Sequence, residues 1–129
     1  MEFHHVGVAT PDAAAVAERY ESLFDLPVVH EEAVGDLSVV FLDAGAGYVE
    51  LLEPSDGGTV QRFLDREGPG LHHVAFETAD AAAALDDARA AGVTPIDDEP
   101  RPGAWGHEVA FLHPGDLGGV LVELVETHG

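Results

Sequence analysis

An internal duplication constrains this chain more than any other feature. Phe3-His4-His5-Val6-Gly7-Val8-Ala9-Thr10-Pro11-Asp12 aligns with Leu71-His72-His73-Val74-Ala75-Phe76-Glu77-Thr78-Ala79-Asp80 at an offset of 68. Tyr48-Val49-Glu50-Leu51-Leu52-Glu53 aligns with Leu121-Val122-Glu123-Leu124-Val125-Glu126 at an offset of 73, so the second copy carries about five extra residues. A chain that repeats itself builds one unit twice, and the architecture of the first half must also serve the second.

Each copy reads as a strand, a helix, then further strands. Thr10 is the expected N-cap of the first helix, with Pro11 at its first position, Asp12 in its first turn, and Ala15, Val16, Tyr20 and Phe24 on one face. The second helix is expected to start near Asp80 and to stop at Gly92 in a left-handed cap. Apolar and β-branched runs predict strands over Pro27–His30, Leu37–Leu42, Tyr48–Leu52, Thr94–Ile96, His107–Leu112 and Val120–Val125. A short helix over Thr59–Arg66 and the breaker Glu67-Gly68-Pro69-Gly70 link the halves. The expectation is an α+β fold in one domain of 129 residues: two tandem βαβββ modules, about 1–56 and about 70–129, with a linker helix over about 57–69. Their strands would form one curved, mixed, mostly antiparallel sheet with helices outside. A chain of this length buries about two thirds of its unfolded surface and needs no disulfide or structural zinc.

Strand alternation sorts the polar residues, because residues two apart share a face. Val6, Val8, Val74 and Phe76 make the face toward the helices, which sends His5 and His73 to the other face and leaves His4 and His72 on the helix side or its rim. Val49, Leu51, Val122 and Leu124 likewise pack on helices, so Glu50 and Glu123 project with the two histidines. A carboxylate in mid-strand costs several kcal/mol to bury unless a cation compensates it. The chain has no Lys, and its five cations are all Arg, at 19, 62, 66, 89 and 101. A divalent metal is the economical partner, and two imidazoles with two carboxylates suit Co²⁺, Zn²⁺, Mn²⁺, Ni²⁺ or Fe²⁺.

Charge and composition exclude several classes. With 25 Asp plus Glu the formal charge is −20, which leaves no basic face for a nucleic acid. At 46% hydrophobic the chain is too apolar for an acidic disordered segment. A dense carboxylate surface is tolerated best where salt screens it, so a salt-rich source is expected. The absence of Cys excludes thiol nucleophiles, zinc fingers and iron–sulfur clusters. The start, Met1-Glu2-Phe3-His4-His5, resembles no leader, and no window approaches the roughly 18 apolar residues of a membrane span, so a soluble, cytoplasmic protein is expected.

The segments "HHVGVATPD", "YVELLEP", "GLHHVAF", "FLHP" and "GGVLVELVE" resemble the vicinal oxygen chelate superfamily over essentially the whole chain. That superfamily includes glyoxalase I, extradiol dioxygenases, fosfomycin and bleomycin resistance proteins and methylmalonyl-CoA epimerases. The stretch "DDEPRPGAWGHEVAFLHPGDLGGVLVELVE" is most similar to the epimerases. The resemblance implies that His5, Glu50, His73 and Glu123 are the metal ligands, the same four that alternation selects. Some members carry Gln at the position of Glu50. A second carboxylate, one of two acid/base groups in some members, falls at Ser38, with Asp36 or Glu32 within the uncertainty of that loop.

The implied reaction interconverts (R)- and (S)-methylmalonyl-CoA by removing and returning the C2 proton through a metal-stabilised enolate, with Glu123 as one acid/base group. A homodimer and an acyl-CoA substrate are implied in the same way. CoA is a polyanion, which a chain of this charge repels at low salt; Arg62, Arg66, Arg89 and Arg101 are the candidate phosphate partners. The alternatives are a glyoxalase-I-type lyase acting on a thiol hemithioacetal and a ligand-sequestering protein of the bleomycin-resistance kind. Ring-cleaving dioxygenase chemistry fits less well, since its sites use two His and one carboxylate. Outside the four ligands, His113 is expected to brace a turn, and Gly103, Ala104, Trp105 and Gly106 to form a loop over the acyl-CoA or a plain hairpin loop. His30, His107 and His128 are expected at the surface, and Asp97-Asp98-Glu99 in solvent.

Overall fold

A computed structural model describes residues Met1–Thr127. The chain separates into two compact units, one running His5–His72 and the other joining Met1–His4 to the chain from His73 onward. Its described strands make one eight-stranded sheet in the order Val28–Val34, Leu37–Asp43, Tyr48–Pro54, Glu2–Ala9, Gly70–Glu77, Val122–Glu126, Glu108–Leu112, Arg101–Pro102.

The first unit holds β1 (Glu2–Ala9), which begins in the other unit, then α1 (Ala13–Phe24), β2 (Val28–Val34), β3 (Leu37–Asp43), β4 (Tyr48–Pro54) and α2 (Thr59–Glu67). β3 runs antiparallel to β2 and β4, and β4 runs parallel to β1. The β2–β3 turn is Gly35-Asp36, where Gly35 takes φ 58°, a conformation a side chain would strain. The N-cap of α1 is Asp12 and not Thr10: Asp12 Oδ1 accepts from the Ala15 N–H at 3.0 Å, while Thr10 Oγ1 accepts from the Asp12 N–H at 3.1 Å. A shorter side chain two residues upstream holds the chain's entry, and the carboxylate takes the orphan donor of the first turn. α1 lays Ala13 and Ala17 on Val40, Leu42 and Leu51, with Val8, Val16, Tyr20, Leu26, Val28 and Val49 around them. Alanines on that face let the helix sit close to the sheet, and each buried Leu stabilises the contact by about 1.5–3 kcal/mol.

The second unit repeats the plan with β5 (Gly70–Glu77), α3 (Ala81–Ala90), β6 (Arg101–Pro102), β7 (Glu108–Leu112) and β8 (Val122–Glu126). β5 and β8 are parallel, while β6/β7 and β7/β8 are antiparallel. α3 starts near Asp80, as expected, with Asp80 as its N-cap, and Gly92 beyond its end takes φ 85°. Its core is Ala84, Leu85, Ala110, Leu112 and Leu124, packed by Ala88, Val93, Leu117 and Val122. The α+β class and the mixed, mostly antiparallel sheet expected from the duplication are therefore present.

Two strand expectations change. Thr94–Ile96 makes a single antiparallel bridge from Pro95 to Leu112, because a proline has no N–H for a ladder. β2 continues four residues beyond His30, to Val34, although Glu31 and Glu32 interrupt its apolar run.

Candidate metal centre

Identical register in the two units aims one imidazole at one carboxylate in each. In the β1/β4 pair Gly7 stands opposite Glu50, and His5 lies one step back on the same face, with Nε2 3.2 Å from Glu50 Oε1. In the β5/β8 pair Ala75 stands opposite Glu123, and His73 lies one step back, with Nε2 3.2 Å from Glu123 Oε1. The residue opposite each carboxylate is small, which leaves the diagonal open.

A phenylalanine completes each arrangement. Phe41 is the partner of Glu50 across β3/β4, and Phe111 is the partner of Glu123 across β7/β8. Their rings stand edge-on to His5 at 5.7 Å and to His73 at 5.6 Å, which fixes the imidazole planes. Sequence reasoning missed both. The signal was present, since Phe41-Leu42 recurs as Phe111-Leu112 at an offset of 70.

His5, Glu50, His73 and Glu123 are 3, 5, 5 and 8% exposed, and one donor atom from each lies within 4.8 Å of the others. The chemistry of the donor set fits a metal ion: two buried carboxylates call for positive charge, and imidazole nitrogen with carboxylate oxygen suits a divalent one.

The duplicated strand–helix–strand plan and this donor set have counterparts among known proteins. The family model described as Glyoxalase/Bleomycin resistance protein/Dioxygenase superfamily matches residues 4–111. The chain belongs to this superfamily. Within it, the chain is 37% identical over 128 residues to the uncharacterized protein YqjC of Bacillus subtilis, covering 97% of this chain and 91% of that one. It is 36% identical over 129 residues to the ethylmalonyl-CoA/methylmalonyl-CoA epimerase of Cereibacter sphaeroides, covering 96% of each. The crystal structure of methylmalonyl-CoA epimerase from Mycobacterium tuberculosis superposes with a TM-score of 0.93 at 32% identity, covering 99% of this chain and 89% of that one.

Other residues of this superfamily member fall in places the sequence did not specify. Ser38 is exposed and shares its face with Val40 and Leu42, which pack on α1; Val39, 2% exposed, occupies the opposite face beside Phe41. Asp36 is exposed in the β2–β3 turn. Glu32 pairs with Val39 and His30 with Phe41, so both stand on the ligand face, and His30 is half-buried there and not at the open surface. His107 is also half-buried, edge-on to His4 at 5.5 Å and tilted against Trp105 at 6.0 Å. His113 does brace its turn, its Nδ1 accepting from the Gly115 N–H at 3.0 Å. His128 lies outside the described residues.

Asp97 is not a solvated charge. Its Oδ2 accepts from the Phe111 N–H at 2.8 Å and its Oδ1 from Arg101 Nε at 3.0 Å. Arg101 pairs with Val109 in register and places its guanidinium 5.5 Å from the Phe111 ring centroid. Arg62 and Arg66 stand on α2, the latter paired with Glu67, and Arg89 on α3 donates to Asp86 and to the Asp98 carbonyl. The segment from Gly103 to Gly106 is a tight turn with Trp105 at φ 63°. No described helix is long and apolar enough to cross a membrane.

Proposed function

We propose that this protein is a metal-dependent epimerase that interconverts (R)- and (S)-methylmalonyl-CoA, with His5, Glu50, His73 and Glu123 as the metal ligands. The observation that carries the reading is the convergence of those four buried donors in a chain similar, over nearly its whole length, to proteins named as epimerases of this substrate. Co²⁺ is the first choice of ion, and Zn²⁺, Mn²⁺, Ni²⁺ and Fe²⁺ are compatible with the same donors.

A proton on carbon α to a thioester is too weakly acidic for a carboxylate acting alone. His5, Glu50, His73 and Glu123 would hold a divalent ion, which would supply Lewis-acid withdrawal of electron density from the thioester carbonyl. Glu123 takes the C2 proton on one face of the carbon, or returns it in the reverse direction, and inversion requires a second carrier on the opposite face. His5 and His73, pinned edge-on by Phe41 and Phe111, hold the donor geometry while this happens. Arg101 is the arginine carried by a strand and not a helix, and its place over Phe111 suits it to an anionic group of the acyl-CoA. The charge of −20 makes substrate binding and turnover rise with salt, in keeping with a salt-rich source.

The test is deuterium entry at C2 of methylmalonyl-CoA in D₂O and molar KCl, read by mass spectrometry, with inversion followed by a stereospecific coupling enzyme. Metal-dependent entry with inversion, abolished by a chelator, is the expected result. A folded, metal-loaded chain that exchanges nothing refutes the reading and moves hemithioacetal isomerisation and ligand sequestration to the front.

A further inference from the structure

β2 is not regular, and its irregularity decides where two titratable side chains point. Val28 pairs with Leu42 and packs in the α1 core, whereas His30 pairs with Phe41, so two residues of β2 match one of β3. In a regular strand Val28 and His30 would share a face, and His30 would turn toward α1. The bulge reverses this. It sends His30, and Glu32 two residues on, to the face that carries Phe41, Glu50 and His5. Bulges are over-represented beside active sites because they re-aim side chains in this way.

The two residues form a pair. His30 Nε2 lies 2.9 Å from Glu32 Oε1, and the imidazole stands 6.1 Å from the Phe41 ring, whose neighbours include His5. Their side chains are 27 and 29% exposed, covered enough to be held and open enough to exchange protons with water. In the cross-sheet row His30–Phe41–Glu50, the residue that β2 contributes, just past the bulge at Val29, is an imidazole. The same row in the second unit reads Phe111–Glu123, and there the group over the phenylalanine is the Arg101 guanidinium. The two halves are thus asymmetric in one respect: the first puts an imidazole–carboxylate pair against its phenylalanine, the second a guanidinium.

We infer that His30 and Glu32 are the second proton carrier of this site, the partner in role of Glu123. The inference rests on the epimerase reading above. In one direction Glu123 accepts the proton from C2, the electron pair of the broken C–H bond delocalises into the thioester carbonyl, and a proton held by the His30–Glu32 pair forms the new C–H bond. One proton leaves the carbon and one arrives, so the substrate's charge is unchanged. Exchange with water then resets both carriers, and the reverse direction exchanges their roles. Ser38, on the opposite face of β3, has no part in this.

The experiment uses the full chain, metal-loaded, with (R)- and (S)-methylmalonyl-CoA supplied separately in D₂O and molar KCl. Glu32→Gln and His30→Gln are compared with wild type and with Ser38→Ala, and the metal content of each is measured. The expected result for Glu32→Gln is inversion slowed by about 10²–10⁴-fold. Deuterium still enters one epimer with retention of configuration, because Glu123 alone can remove and return a proton on its own face. His30→Gln moves the same way, Ser38→Ala does not, and Glu32→Asp, included in case Glu32→Gln folds poorly, recovers part of the inversion. Wild-type inversion in both pair variants overturns the inference. So does loss of bound metal, or of exchange in both epimers together with inversion, which would make the pair structural. If wild type itself exchanges neither epimer, the epimerase reading fails and takes this inference with it.

Discussion

Glu53 on β4 reaches across to α1, its Oε1 accepting the backbone N–H of Ala13 at 2.8 Å. Glu126 on β8 does the same for Ala81 of α3, also at 2.8 Å. Each carboxylate satisfies an orphan donor of a first turn and sits at the positive end of the helix dipole. In each unit the strand that supplies a buried Glu to the donor set therefore also ties down the helix behind it.

Glu53→Ala and Glu126→Ala are each expected to destabilise the chain by about 1–2 kcal/mol, a charge-assisted hydrogen bond plus a dipole contribution. The Gln variants should lose less, since the amide oxygen still accepts. Denaturant unfolding in high salt checks this; a change in midpoint no larger than that of an exposed Glu→Ala would contradict it.

Removing the metal is expected to lower the melting temperature, because an ion bound only by the folded chain stabilises it by mass action. Wild type should hold one divalent ion per chain by elemental analysis. His5→Ala, Glu50→Ala, His73→Ala and Glu123→Ala should each lose most of it and melt as the chelated wild type does. Retention of a full complement in any two of these variants would refute the four-ligand site.

Glu123→Gln is expected to keep the fold and to slow C2 exchange by about 10²–10⁴-fold, the usual contribution of a positioned acid/base group. Circular dichroism and the exchange assay together decide it. Turnover near that of wild type would remove Glu123 from proton transfer.

The melting temperature is expected to rise by about 5 °C or more between 0.1 and 1 M KCl, since the Debye length falls from about 10 Å to about 3 Å over that range and the charge of −20 is screened. A flat profile would mean that the surface carboxylates repel too weakly to matter. The ordinary pairs at the surface, such as Arg66–Glu67 at 3.2 Å, should weaken with salt and oppose the trend only slightly.

A methyl group added at Gly103 would stand 2.8 and 2.9 Å from the two methyls of Val109, a core residue of β7 that is 4% exposed. Gly103→Ala is therefore expected to cost about 1–3 kcal/mol by overpacking. Adding Val109→Ala should recover part of that loss, and a double-mutant cycle measures the recovery. Simple additivity of the two changes would show that the turn shifts freely instead.

Periodicity and duplication were enough to place β1, β4, β5 and β8 and to separate His5, Glu50, His73 and Glu123 from the apolar residues beside them. Alternation is a local property of an extended chain, and a repeated sequence must repeat it. The N-cap of α1 was misplaced by two residues because Thr10 and Asp12 are both good caps, and the choice depends on where the strand releases the chain. The roles of Asp97 and Glu53 were illegible, since their partners Phe111 and Ala13 lie 14 and 40 residues away.

What the sequence determined by itself is the identity of the repeated unit, the side of each regular strand that carries the donors, and the acidity that shapes the surface. Tertiary structure decided the register. It set Gly7 opposite Glu50 and Ala75 opposite Glu123, brought Phe41 and Phe111 edge-on to the histidines, and put the bulge in β2 that reverses His30 and Glu32. A bulge is a mismatch between two strands, one residue counted against another on a partner 11 to 14 positions along the chain, so no pattern within either strand contains it.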